Sequence, residues 1–308
     1  MDVIVAENLV KHFGFVRALD GVNLTVPKGS TFGLIGPNGA GKTTFFGLVC
    51  GWLRPTKGRA TVLGTATSRV VDLKGHLCAL PQDASLPPNT TVMHSLAYYG
   101  RLQGLGRGEA RNEALRVLDM LGLAGSAGTR ASNLSHGMAK RVGLAQAFIG
   151  SPKLVLLDEP TSGLDPKSAH LVRSLIKDLS GTATVLVSSH NLHELEAICD
   201  HAAILDHGRL KAHGTMSELT AADTEVKITL ANPKEALEKL ASLATTVPGV
   251  STAAADPLSS ALIIRFSSGE KAPEEVVTQV LSALIEGGAK VGAVERGRGL
   301  EKKVLSIT

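Results

Sequence analysis

The sequence predicts an α/β fold followed by a small α+β domain, on three observations. Apolar Thr31-Phe32-Gly33-Leu34-Ile35 runs straight into Gly36-Pro37-Asn38-Gly39-Ala40-Gly41-Lys42-Thr43-Thr44, the pattern of a short strand, a tight loop and a helix start. A second apolar run, Leu154-Val155-Leu156-Leu157, ends in Asp158-Glu159-Pro160, as a buried strand does where proline halts its ladder. From about Ala221 the composition changes, and Val226, Ile228 and Leu230 alternate as a new strand. The expected division is therefore residues 1–220 and 221–308.

The bulk numbers set outer limits. A chain of 308 residues holds about two domains, and 44% hydrophobic residues is ordinary for a globular protein. No apolar run approaches the roughly twenty residues of a membrane span. Met1-Asp2-Val3-Ile4-Val5 carries an acid where a secretory leader carries bases, so a cytoplasmic chain is expected. Cys50, Cys78 and Cys199 are odd in number, far apart and set among aliphatic residues, which predicts free thiols and no structural metal. A net charge of +4 without a basic tract gives no reason to expect a nucleic-acid partner.

The glycine-rich loop carries the first chemistry. Its glycines let successive backbone N–H groups turn inward on a polyphosphate, and the helix starting near Lys42 points its positive end at the same place. A nucleoside triphosphate suits that cradle. Lys42 would reach the β- and γ-phosphates, and the Thr43 hydroxyl would hold Mg2+, a hard cation that prefers oxygen. In such a site Asp158 would complete the Mg2+ shell and Glu159 would orient and deprotonate the attacking water.

Residues from Thr90 to Ala124 keep helical spacing through Ala110, Ala114, Leu118 and Leu121, with a break between Gly104 and Gly108. A capped helix follows at Asn133-Leu134-Ser135-His136-Gly137-Met138, where Ser135 and the amides around Gly137 would make a second anion site. One nucleotide needs one cradle, so this second site makes sense if it faces the nucleotide of another copy. Further on, His190, His193, Glu194, Glu196, Cys199, Asp200 and His201 crowd together, yet they do not match H-E-x-x-H. Leu192, Leu195 and Ile198 instead space a helix whose acids are solvated.

Taken in order, these motifs resemble the nucleotide-binding subunit of an ATP-binding cassette (ABC) transporter, over about residues 3 to 217. The family's signature stands here as Leu134-Ser135-His136-Gly137-Met138, its D-loop as Ser162-Gly163-Leu164-Asp165, and its Q-loop as Leu80-Pro81-Gln82-Asp83. His190 falls where the family has its switch histidine, and Phe13 where an aromatic stacks on adenine. The resemblance implies a P-loop NTPase core of RecA-like type, with a helical subdomain over about 84–152. By resemblance Gln82 senses Mg2+ and water, His190 touches the γ-phosphate, and Asp165 links the two sites of a homodimer. It implies ATP and Mg2+ as cofactors and a separate integral-membrane permease, most readily an exporter, with the chain peripheral on the inner face of the cell membrane. His94 and His136 depart from the family's commoner glutamate and glycine. A soluble ABC ATPase that remodels ribosomes or nucleic acid is the second reading, and a small-molecule kinase fails for want of an acceptor lid.

In the tail, Asn232-Pro233-Lys234-Glu235 reads as a helix opening with a cap and first-turn proline. Leu262, Ile264 and Phe266 alternate as a strand, and Val276, Val277, Val280, Leu281 and Leu284 mark a helix ending at Gly287-Gly288. Strand then helix, twice over, predicts a small α+β sandwich without a catalytic constellation, read as a dimer-stabilising or docking module ahead of a ligand sensor. The stretch Leu300-Glu301-Lys302-Lys303-Val304-Leu305 resembles the acidic-aromatic ending of drug-export cassettes, with Lys302 breaking the pattern.

Overall fold

Residues 2–220, 225–231, 237–266, 272–296, 300 and 304 are described by the computed structural model. They fall into two units, Met1–His213 and Gly214–Thr308, so the division lies a few residues ahead of the compositional change at Ala221.

In the first unit, β1 (Asp2–Phe13) and β2 (Val16–Pro27) form an antiparallel hairpin that turns at Gly14 with φ 57°. With β4 (Lys57–Val62) and the short β5 (Thr65–Ala66) they make a sheet in the order β2-β1-β4-β5. A second sheet is built from β3 (Thr31–Ile35), β6 (Leu77–Leu80), β7 (Leu154–Asp158), β8 (Thr184–Ser189), β9 (His201–Asp206) and β10 (Arg209–Thr215). Its order is β10-β9-β3-β8-β7-β6. The pairs from β9 through β6 are parallel. β3, β7 and β8 are buried at every residue, as strands covered on both faces must be, which explains their unbroken apolar runs. His207 and Gly208, both at positive φ, make the two-residue turn from β9 to β10. One core of Leu, Ile, Val and Phe side chains, among them Phe32, Phe45, Phe46, Leu156 and Leu186, joins the two sheets.

The helices are α1 (Lys42–Val49), α2 (Val92–Leu102), α3 (Arg107–Met120), α4 (His136–Ala145), α5 (Pro166–Asp178) and α6 (Leu192–Ile198). α2, α3 and α4 stand in the chain between β6 and β7. The predicted break is the bend between α2 and α3, and the expected Ala110, Ala114 and Leu118 are the buried face of α3. Thr91 caps α2 by accepting the His94 N–H.

The second unit holds α7 (Met216–Thr220), β11 (Glu225–Leu230), α8 (Leu237–Thr245), β12 (Val250–Asp256), β13 (Ala261–Phe266), α9 (Pro273–Glu286) and β14 (Val291–Arg296). Its antiparallel sheet runs β12-β13-β11-β14, the split βαβ arrangement. Val226, Ile228, Leu262, Ile264 and Phe266 share its core with Leu240, Ala244, Val276, Val280 and Leu284. The predicted central strands and the helix ending at Gly287 are here, but β12 and β14 were not foreseen. Both are edge strands, largely solvent-facing and carrying Ser, Thr, Gly, Glu and Arg, so neither shows apolar alternation. The predicted helix opening at Asn232 to Glu235 lies outside the described residues, and of the 300–305 ending only Leu300 and Val304 are described.

Candidate active site

Parallel strands bring their C-terminal ends to one edge. Register pairs Ile35 with Ser189 and Asp158 with Ser188, so the residues that follow β3, β7 and β8 emerge side by side. Such an edge is where open parallel sheets bind ligands.

The glycine-rich loop lies there and ends at Gly41, which starts α1 in a left-handed conformation, φ 104°, with no side chain capping the helix. The amides of Lys42, Thr43 and Thr44 therefore have no acceptor inside the helix, and the helix dipole adds positive potential at that point. Glycine at two positions is forced by packing: a Cβ on Gly36 would lie 2.4 Å from the Leu205 carbonyl, and one on Gly41 would lie 2.6 Å from the Ala18 carbonyl. The loop is thus seated against β9 and β2. Lys42 is buried, and its Nζ donates to the carbonyls of Gly36 at 2.6 Å and Pro37 at 3.2 Å. Burial pulls its pKa down, and the nearby Glu159 and Asp158 carboxylates pull it back up.

Thr43 Oγ1 donates to Asp158 Oδ2 at 2.8 Å, which sets two oxygen ligands of the kind Mg2+ prefers beside the free amides. The other Asp158 oxygen accepts from the Ser188 hydroxyl, and Ser188 in turn accepts the Glu159 N–H at 3.0 Å. Glu159 is buried and sits at φ 51°, a strained conformation for a residue with a side chain. Its Oε2 meets His190 Nδ1 at 2.8 Å, while the rest of the His190 ring is open to solvent.

These groups wall a cleft of about 750 Å³, in the range of small-molecule sites. Pro37, Asn38, Gly39, Ala40, Gly41, Lys42, Thr43 and Thr44 line it together with Gln82, Asp158, Glu159 and His190. Phe13 also lines the cleft; it is 47% exposed and so is not a core residue, and Lys11 Nζ stands 4.9 Å from its ring centre. Gly36 lies behind the lining, as the acceptor for Lys42. Ser135, Gly137 and Asp165 are not in this cleft. Ser135 caps α4 by accepting the Met138 N–H at 3.3 Å, beside a second depression of about 570 Å³ that Leu134, His136 and Lys140 line together with Gln82 and Ser162. Asp165 caps α5, accepting the Ser168 N–H at 3.0 Å and the Ser168 hydroxyl at 2.6 Å, and these bonds hold its carboxyl below the usual carboxylate range.

Sequence reasoning missed Ser188, Arg17 and His207, while Ser162, read as the first residue of the D-loop, also lines the cleft. Ser188 had a readable signal, because two serines closing an otherwise apolar buried strand need partners. Arg17 and His207 reach the cleft only through folding of distant segments, and nothing local marks them.

The model of the family described as ABC transporter matches residues 19–162. The linearmycin resistance ATP-binding protein of Bacillus subtilis is 34% identical over 239 residues, 76% of this chain and 77% of that protein. The chain belongs to the ABC transporter family. The daunorubicin/doxorubicin resistance ATP-binding protein of Streptomyces peucetius is 38% identical, over 70% of this chain and 66% of that one. A Nod factor export ATP-binding protein of Cupriavidus metallidurans is 34% identical over 73% and 74%. Among solved structures, an ATP-binding subunit of an ABC transporter matches with TM-score 0.66 at 27% identity, over 71% of this chain and 92% of that one. A dimeric cassette bound to ADP and Pi shares the fold, with TM-score 0.64 at 24% identity over 69% and 98%. The ABC cassette described above is the ATP-hydrolysing subunit of a transporter.

Proposed function

We propose that two copies close head to tail and drive a separate integral-membrane permease that exports its substrate. Each ATP would lie between Lys42 of one copy and Ser135 of the other. The observation that carries this reading is the division of the phosphate-binding equipment: one set of free amides lines the cleft, and a second helix start, capped by Ser135, stands outside it. Closure then depends on contacts to the γ-phosphate that hydrolysis removes, which is a population shift driven by differential binding.

Within the cleft, Phe13 would stack on the adenine, while the loop amides and Lys42 would meet the growing charge on the phosphoryl group. Thr43 and Asp158 would hold Mg2+, with Gln82 near it, and the bound ion would supply neutralisation of the phosphate charge. Glu159 would take the proton of the attacking water, and His190 would hold the γ-phosphate. Asp165, at the far end of the loop from Glu159, would face the other copy. The chain would sit on the inner face of the membrane through the permease. Apolar side chains support such docking: Trp52, Val71 and Leu102 are all largely exposed around one groove. The relatives' names, resistance and export, favour an exporter over the soluble remodeller.

Two measurements test the reading. Turnover per chain should rise with protein concentration and vanish in Ser135→Arg while ATP binding persists; monomers that hydrolyse at full rate would refute the shared site. Purification from detergent-solubilised membranes should bring down a polytopic partner, and recovery of ribosomes or RNA in its place would favour the remodeller.

A further inference from the structure

Beyond the cleft, the loops that follow β7 and β8 are tied together twice. The near tie is the Glu159–His190 contact. The far tie is Glu194, on α6, which accepts the Thr161 hydroxyl on one carboxylate oxygen at 2.6 Å and Arg173 Nη1, from α5, on the other at 2.7 Å. The Glu194 N–H also donates to the Asn191 side chain at 3.3 Å, and the Asn191 N–H donates to Ser189 Oγ at 3.0 Å, so the segment carrying His190 is held from both sides. Thr161 is two residues beyond Glu159, and a turn between them is fixed by Ser162 N–H donating to the Glu159 carbonyl at 3.3 Å. The circuit is closed: Glu159, His190, Asn191, Glu194, Thr161 and back to Glu159.

A circuit of this kind matters because of the Glu159 backbone. At φ 51° the residue is in a region that side chains disfavour, and such a conformation persists only where its surroundings over-determine it. Ser188 holds its N–H, and the turn through Thr161 holds its carbonyl side. We propose that Glu194 is a positioning residue for Glu159, acting through Thr161 and braced by Arg173, so that it sets the direction of the carboxylate that prepares the water. It also fixes the first residue of the loop whose last residue, Asp165, is fixed by Ser168, which makes the segment from 161 to 165 a strap held at both ends. The inference rests on Glu159 being the general base.

The test uses the full chain turning over MgATP. Glu194→Ala should lower kcat about tenfold or more, since a misplacement of about 1 Å at a reacting group costs up to about a hundredfold. Both KM and the Kd for a non-hydrolysable ATP analogue should stay within about twofold, because the phosphate cradle is untouched. Thr161→Val should give a loss of similar size, and the double variant should be no worse than Glu194→Ala alone, as for two members of one linkage. Glu194→Gln, which still offers Thr161 an acceptor, should recover most of the rate. The proposal falls if Glu194→Ala keeps kcat within about twofold, if the loss is in KM, or if the losses multiply in the double variant. Should Glu194→Ala not fold, Thr161→Val and Glu194→Gln decide by the same criteria. Glu159→Gln separates the two levels: full turnover there removes the general base, whereas a normal loss there with an unaffected Glu194→Ala removes only the positioning role.

Discussion

The parallel sheet of the first unit and the antiparallel sheet of the second put their polar groups to different use. In the first, Lys42, Asp158, Glu159, Ser188 and Ser189 are buried together where the strands end. Burying such groups is unfavourable unless each is paired, and here each has a partner in the cleft or behind it. In the second, the buried polar residues among those described are Thr220 and Glu225, and the strand faces toward the helices are wholly apolar. The contrast separates a sheet organised around its ends from one organised around its face: removing a strand-end group should cost turnover, and removing a face methyl should cost stability.

Glu159→Gln is the sharpest way to break that contrast. Turnover should fall about a hundredfold or more, the scale of a lost general base, with ATP binding retained; near-normal hydrolysis would detach the strand end from the chemistry. Ile264→Val in the second unit should do the reverse, lowering stability by about 0.5–1.5 kcal/mol in a urea titration while kcat of the folded protein stays unchanged. A drop in kcat would show that the second sheet serves the cleft after all.

A smaller effect is expected at Glu113, in the helical segment, whose carboxyl is pulled down chiefly by its hydrogen bond to Arg116. A depressed folded-state pKa stabilises above the unfolded value and loses that contribution as pH falls through the folded value. Glu113→Gln should therefore cost stability at neutral pH and lose less than wild type on acidification, as read from Tm between neutral and acid buffers. The smallest effect belongs to the thiols. Burial pushes Cys50 up to about 12 and Cys78 up to about 11, and Cys199 is raised as well, so none should react with iodoacetamide at neutral pH until the chain unfolds. Labelling of the native protein, read by mass spectrometry, would contradict their burial.

How much of this was legible varied with the range of the interactions. The β3-loop-α1 passage, the acid pair at the end of β7, the Ser135 cap and the helical spacing of α3 are local patterns, and the structure contains each of them. The sheet β2-β1-β4-β5 was not read, because β1 pairs with β4 across a long stretch of chain and carries bulges that break its alternation. The edge strands β12 and β14 escaped for the opposite reason: too little of either is buried to leave a pattern.

By itself the sequence determined the family, and it supplied residue types suited to a phosphate cradle, to holding a hard cation and to a carboxylate base. Such features depend on residue type and spacing within one loop or one turn, and short-range geometry fixes them. Only the tertiary structure decided which of them face one another. The Glu159–His190 contact, the Ser188 bridge between the two acids and the Glu194 tie to Thr161 each span about thirty residues or more of chain. They exist because parallel strands, paired in register and buried on both faces, deliver their ends to the same edge.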